Sequence, residues 1–226
     1  MILLAIDTCA NLCAADVWDA DAGRELGRCV RDIGKGHAEQ LMAVIGEALA
    51  AAGKAYADLG GIAVAVGPGS FTGIRVGVAA ARGLALALDI PSAGVGTLDA
   101  LAQAAREKFP GRPVIAAHDA RRDELYVAAF GADGACLFAP RITRLAEAVE
   151  LAGQDAPVLA GTAARMIAQA AGQAFDIAAE APTADIAVYA RLAVRQGFSG
   201  EKPKPLYLRG ADARPQEGFA LPRKDA

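Results

Sequence analysis

The chain alternates between short unbroken apolar runs and longer stretches in which apolar residues recur every three or four positions. Ile2 to Ile6, ending at Asp7, reads as a buried strand. Cys13 to Trp18 and Glu25 to Val30 read as two more, joined by turns short enough for an antiparallel meander. His37 to Ala52 carries Leu41, Val44, Ile45 and Leu49 on one face, with Gly53 as its stop, and predicts an amphipathic helix. Ile62 to Val66 is again a buried run. It leads into Gly67 to Leu88, GPGSFTGIRVGVAAARGLALAL, a glycine-rich turn followed by a helix over Gly73 to Leu88 whose only charges are Arg75 and Arg82, seven apart on one face. The order is βββαβα.

After Pro91 a short apolar segment reaches Thr97, a good N-cap for a helix over Leu98 to Lys108, and Pro110 to Pro113 then breaks the chain. The pattern repeats beyond the break. Val114 to His118 ends in Asp119, Glu124 to Phe130 is a second strand, and the Asp133-Gly134 turn leads to a third, Ala135 to Pro140. A helix over Leu145 to Leu151, a strand over Pro157 to Ala160 and a helix over Thr162 to Ala171 complete a second βββαβα. Each half ends its first strand in an aspartate, Asp7 or Asp119, and follows its fourth with a glycine, Gly67 or Gly161. The reading is an α/β protein of two lobes, residues 1–109 and 110–226. The second lobe includes a capped helix from Thr183 to Gln196, with Ile186, Tyr189, Ala190 and Ala193 inward, and a polar tail from Gly210. Such a duplicated order resembles the architecture of actin, the sugar kinases and the chaperone ATPases, the ribonuclease H-like folds in which nucleotide lies between the halves.

A helix apolar on nearly every side must be covered on nearly every side. At this length, and interrupted by Arg82, the cover is expected to be protein rather than lipid. Gly73, Gly77 and Ala80 or Ala81 form a stripe of small residues on which another helix could approach closely. Two covers are open: the helix is sandwiched inside its own lobe, or a partner chain supplies part of the cover. The 226 residues carry a formal net charge of −3, which gives no basic footprint, so any nucleic acid is expected to be held mainly by another component. No transmembrane run or leader is expected, and the expected location is cytoplasmic. The four cysteines lack C-x-x-C spacing and read as reduced structural thiols.

The candidate chemistry is sparse. The turn lacks the lysine of a Walker loop, and Gly67, Gly69 and Gly73 are spaced G-x-G-x-x-x-G rather than as a dinucleotide fingerprint. Ser70 is not in a nucleophile elbow, and a triad of Ser70, His118 and Asp119 rests on spacing alone. His37 opens a helix, yet one turn on, where a second metal ligand would stand, the chain has Leu41; a solvated or capping histidine is the expectation. Asp7 and Asp119 are strand-end carboxylates that could hold a divalent ion or polarise a water, or simply cap turns. Arg121-Arg122 could meet a phosphate or another protein. No catalytic residue and no metal site is assigned.

With LLAIDTC, His37-Ala38-Glu39, GPGSFTGIRVG, HDARRDELY and PLYLR together, the sequence resembles the TsaB family, also called YeaZ, over most of its length. The resemblance implies an actin-like protein without catalysis of its own. It would pair with a TsaD subunit, which transfers the threonylcarbamoyl group to make threonylcarbamoyladenosine beside the tRNA anticodon; a TsaE ATPase completes the assembly. In that family the helix after GPGSFTGIR forms the dimer interface. That implies an interface through Gly73, Ile74, Arg75, Gly77, Val78, Ala80, Ala81 and Leu84, with Asp7, His37 and Asp119 as vestigial cleft residues. ATP and metal would belong to the partner assembly, and a homodimer of the isolated chain is possible. An actin-like small-molecule kinase or ATPase would need a competent phosphate loop, and a metallopeptidase the missing ligand.

Overall fold

In the computed structural model, which describes residues 1–153, 155–198 and 200–209, the two meanders form as expected and each becomes half of a five-stranded sheet. Strands β1 (Ile2–Asp7), β2 (Leu12–Asp19) and β3 (Arg24–Asp32) run antiparallel, with Ile2 opposite Asp19 and Leu12 opposite Asp32. β4 (Leu59–Gly67) lies parallel to β1, and β5 (Ser92–Gly96) parallel to β4, giving the order β3-β2-β1-β4-β5. In the second sheet β6 (Val114–Arg121), β7 (Glu124–Phe130) and β8 (Cys136–Arg144) make the meander. β9 (Val158–Ala160) and β10 (Ile177–Ala179) add in parallel, and the order is β8-β7-β6-β9-β10. The two orders correspond position by position, and this is the duplicated actin-like fold.

The sequence reading missed β5 and β10. The first holds two glycines in five residues and the second is three residues long, so neither carries an apolar alternation to read. β8 runs four residues past its expected end through Pro140. A proline is tolerated there because β8 is an edge strand, with one side that needs no ladder donor.

The helices depart from the expected division at residue 109. On the first sheet, α1 (His37–Ala52) and α2 (Phe71–Leu88) cover one face, and α6 (Ile186–Gln196) covers the other. Neighbouring residues of β3 show the two sides: Gly27 lies against the backbone of Ala51 and Ala52 in α1, while Arg28 reaches Asp185, the N-cap of α6. On the second sheet, β6 divides its side chains by the period of a strand. Ile115 and Ala117 pack with α4 (Leu145–Ala152) and α5 (Ala164–Ala171); Val114 and Ala116 pack with Leu98, Leu101 and Ala105 of α3 (Thr97–Lys108). The lobes therefore exchange helices. A cut at residue 109 would strip α3 from the sheet it covers and leave one face of the first sheet bare, because each sheet has two apolar faces and its neighbouring helices in the chain cover only one.

Thr97 is not the cap of α3 but its first residue. Gly96 holds the N-cap position, and the Thr97 hydroxyl is buried. α6 starts as expected: Asp185 accepts from the Ala187 amide at 3.0 Å, and Ile186, Tyr189, Ala190 and Ala193 are all buried. By length and composition alone α2 could cross a membrane. It is instead the crossover between the parallel strands β4 and β5, with Ile74, Val78 and Ala81 inside the core of that sheet. The polar tail from Gly210 lies outside the described residues.

Candidate functional site

The glycine turn before α2 is shaped by the first strand's exit. Asp7 is buried, and its Oδ1 accepts from the Cys9 amide at 2.8 Å, closing the turn through Thr8; burial raises its pKa, and that hydrogen bond opposes the rise. Against this turn sits the other. Ser70 donates its amide to the Cys9 carbonyl at 2.7 Å, and Thr8 donates its hydroxyl to the Gly73 carbonyl at 2.7 Å. A Cβ on Gly69 would stand 2.3 Å from the Cys9 carbonyl oxygen, one on Gly73 1.9 Å from that of Thr8, and one on Gly77 2.5 Å from the Thr8 hydroxyl. These glycines let one loop cross another. Three amides of the turn and the helix start are engaged: Ser70 on Cys9, Gly73 on the Ser70 hydroxyl at 3.3 Å, and Ile74 on the Ser70 carbonyl at 2.9 Å.

The small stripe therefore points inward. Of the interface set expected from the resemblance, Gly73, Ile74, Gly77, Val78 and Ala81 are buried in their own lobe, Ala80 and Leu84 are half-buried, and Arg75 alone is exposed. The outer face of α2 is a different row, Phe71, Arg75, Ala79, Arg82 and Leu86, with Phe71 52% and Leu86 79% exposed. The segment after α6 lies along this helix and ties to the sheet by the Leu206 amide, which donates to the Val66 carbonyl at 2.8 Å. The Arg75 guanidinium stacks 3.5 Å above the Phe71 ring and donates from Nε to the Tyr207 hydroxyl at 2.7 Å. An open cavity of about 350 Å³ follows, lined by Arg75, Val78, Ala79, Arg82 and Pro205. One signal in the sequence could have found this face: the arginines at 75 and 82 mark the side of an apolar helix that water can reach.

Between the lobes a cleft of about 440 Å³ is lined by Cys9, Asn11, Ser70, His118, Asp119, Arg121, Tyr126 and Thr162, among others. Of the expected cleft residues only Asp119 reaches it. Its Oδ1 accepts from the Arg121 amide at 2.7 Å, which turns the β6–β7 hairpin through Arg121, Arg122 and Asp123, all at positive φ. Asp7 lies beneath the cleft, bound to its own turn. His37 is neither solvated nor capping: it is buried, with Nε2 3.1 Å from the Leu12 carbonyl, and Gly36 holds the N-cap. Ser70, His118 and Asp119 do share the cleft, yet no triad forms. The Ser70 oxygen caps α2, and His118 Nδ1 accepts from the Thr162 amide at 3.4 Å. Burial holds the His118 imidazole down at about 4, although the Pro182 carbonyl favours its charged form slightly. Among the described residues no three His, Cys, Asp or Glu side chains converge as metal ligands would.

Comparison with known proteins adds a family. The family model that matches, over residues 31–202, is described as TsaD: tRNA N6-adenosine threonylcarbamoyltransferase. The protein named tRNA threonylcarbamoyladenosine biosynthesis protein TsaB of Escherichia coli strain K12 is 37% identical over 134 residues, 59% of this chain and 56% of that one. Its namesake of Bacillus subtilis strain 168 is 36% identical over 128 residues, 56% of this chain and 53% of that one. The chain thus spans about half the length of the curated relatives it matches. The solved structure titled YeaZ from Pseudomonas aeruginosa superposes with a TM-score of 0.75 at 29% identity, covering 92% of this chain and 99% of that one.

Proposed function

This chain belongs to the family of the tRNA N6-adenosine threonylcarbamoyltransferase TsaD, alongside the proteins named TsaB and YeaZ, and from that membership we propose that it serves threonylcarbamoyladenosine synthesis as a pairing subunit without catalysis of its own. The reading is that it holds a TsaD-type transferase through the outer face of α2. A TsaE-type ATPase and the tRNA join through the assembly rather than through this chain alone, and a tRNA client places the work in the cytoplasm. The observation that carries it is the exposed row Phe71, Ala79 and Leu86 on a helix whose other side is locked into the lobe. Large apolar side chains held in water on a rigid element fit a protein interface.

The kinase or ATPase reading is weaker because the glycine turn lacks a phosphate-binding lysine, its Ser70 amide is spent on the loop crossing and Asp7 serves its own turn. The metallopeptidase reading is weaker because His37 is held on a backbone carbonyl with Leu41 one turn on. The test is genetic and chemical together. In cells depleted of this chain, mass spectrometry of digested tRNA should show threonylcarbamoyladenosine falling, with recovery on supply of the wild type and not of Ala79→Trp. Unchanged modification after depletion would sink the proposal.

A further inference from the structure

The two exchanged helices, α3 and α6, pack side by side and antiparallel: Glu107 of α3 faces Arg191 of α6, and one turn away Gln103 faces Arg195. Arg191 pairs with Glu107 at 2.8 Å, and its guanidinium carbon stands 5.6 Å from the ring centroid of Trp18, the single tryptophan of the chain. Gln103 is buried and its amide is fixed at both ends. Its Nε2 donates to Glu107 Oε1 at 2.9 Å, while its Oε1 accepts from Arg195 Nη1 at 2.8 Å and from Arg106 Nη2 as well. Two guanidiniums thus meet on one neutral oxygen. Among the described residues neither of them forms an ion pair. Glu107 is taken up by Arg191 and Gln103, and Asp133 of the β7–β8 turn accepts from the Ala135 amide at 2.9 Å. Burial, with Arg195 beside it, holds the Arg106 guanidinium below the usual arginine range, although Asp133 and Glu107 oppose the shift.

Helix C-termini favour cations, which accounts for Arg106 and Arg195 each standing in a last turn. It does not account for their meeting. Like charges side by side repel, and a carbonyl dipole offsets only part of what an anion would. The pair is also held in place: Gly134 of the β7–β8 turn, at φ 88°, lies on the Arg106 guanidinium, where any Cβ would collide with Nη1, and Gln103 anchors both side chains. We infer that Arg106 and Arg195 form a phosphate-binding site, in which one phosphate group accepts from both guanidiniums and Arg191 adds charge at the edge. A carboxylate is filled by a single guanidinium fork, whereas the tetrahedrally disposed oxygens of a phosphate suit two. Arg195 is exposed and Arg106 half-buried, so the group can arrive from solvent and need not belong to a small molecule. A phosphodiester of an RNA backbone carries the same chemistry as inorganic phosphate. In a chain of net charge −3 the site gives tRNA one local hold that positions without reading sequence.

The phosphate chemistry stands apart from the function proposed above; that the phosphate is one of tRNA rests on it. In the first arm inorganic phosphate is titrated into the full chain, against chloride at matched ionic strength, and followed by Trp18 emission and by the rise in melting temperature. The wild type should respond saturably. Arg195→Gln, with its circular dichroism unchanged, should lose at least about tenfold in affinity, and Arg195→Lys less, because lysine keeps the charge and loses the fork. Arg144→Gln, the same charge change at an exposed position of β8, should bind as the wild type does. In the second arm unmodified tRNA is titrated, across a salt series, into this chain assembled with the TsaD-type transferase and TsaE-type ATPase. Arg195→Gln should weaken binding and lower the slope of log affinity against log salt by about one. Loss of phosphate binding with tRNA binding intact would keep the site and assign it to a small phosphate. If no assembly forms, the pairing reading fails and the first arm alone decides the site. No saturable response in the wild type, or an equal one in Arg195→Gln, would overturn the site. So would an Arg195→Gln variant that binds phosphate and tRNA normally but holds the transferase more weakly, since the arginines would then serve a protein carboxylate.

Discussion

Gly73 and Gly83 lie on the same helix and should answer alanine with opposite sign. A Cβ at Gly73 meets the Thr8 carbonyl oxygen at 1.9 Å, a backbone atom that cannot step aside, whereas Gly83 has nothing within 4 Å. Gly73→Ala should lose about 1 to 3 kcal/mol of stability in a denaturant titration. Gly83→Ala should gain about 0.5 to 1 kcal/mol, since alanine is the better helix former. Two buried titratable groups give stability a pH dependence of opposite slope. The His118 imidazole stays neutral in the folded protein down to about 4, while unfolded histidine takes a proton near 6.5. The unfolded state therefore binds the extra proton in that window, and stability falls by about 2 kcal/mol from pH 7 to pH 5. His118→Gln should remove that part of the slope. Asp16 is wholly buried, its carboxylate oxygens lack hydrogen-bond partners among the described residues, and burial with Glu25 nearby raises its pKa. Its contribution is complete below the usual carboxylate range and is lost as pH rises. Asp16→Asn should thus stabilise the protein relative to wild type by a margin that grows from pH 4 to pH 8, measured as the shift in urea midpoint. Spacing in the sequence shows that glycines recur but not what fills the space beside them. Only the packed structure reveals that Thr8 does, or that His37 is fixed on Leu12 rather than solvated.

At the level of elements, the long apolar runs and the three-to-four periodicity were enough for most strands and for all six α-helices among the described residues, because burial imposes those periods on the chain. Central β1 and β4 are buried on both faces and read as continuous runs for that reason. α2 was legible as a helix, and its outer side was legible too, in Arg75 and Arg82; the glycine stripe drew attention to the side that is closed. The exchange of α3 and α6 was not legible, since which sheet a helix covers depends on the path of the chain through space and not on its own pattern. It has a consequence for dissection. A fragment of residues 1–109 would hold the first sheet without the cover of α6, and α3 without its bed. Hydrogen exchange should show it without cooperative protection, and adding the fragment 110–226 should restore protection. A cooperatively folded 1–109 fragment would contradict the exchange.

The whole molecule repeats one sheet order twice, and the strap after α6 draws the halves together: Leu206 bonds to β4, Tyr207 to Arg75 on α2, and Arg209 pairs with Glu124 on β7 of the other sheet. The duplication was readable in the matched aspartates and glycines, Asp7 with Asp119 and Gly67 with Gly161, yet the matched positions have diverged in use. Asp119 faces the cleft, while Asp7 is sealed under it. On the proposed reading, what the fold offers a partner is the face of α2. Reconstitution tests this most directly: transfer of the threonylcarbamoyl group to tRNA is measured with this chain alone, with the TsaD-type transferase and TsaE-type ATPase alone, and with all three. The account predicts no transfer by this chain alone, full transfer only with all three, and loss of its contribution when Leu86→Asp replaces the wild type, with Leu137→Asp, an exposed apolar residue on β8, as the unaffected control. Transfer by this chain alone, or full transfer with Leu86→Asp, would contradict it.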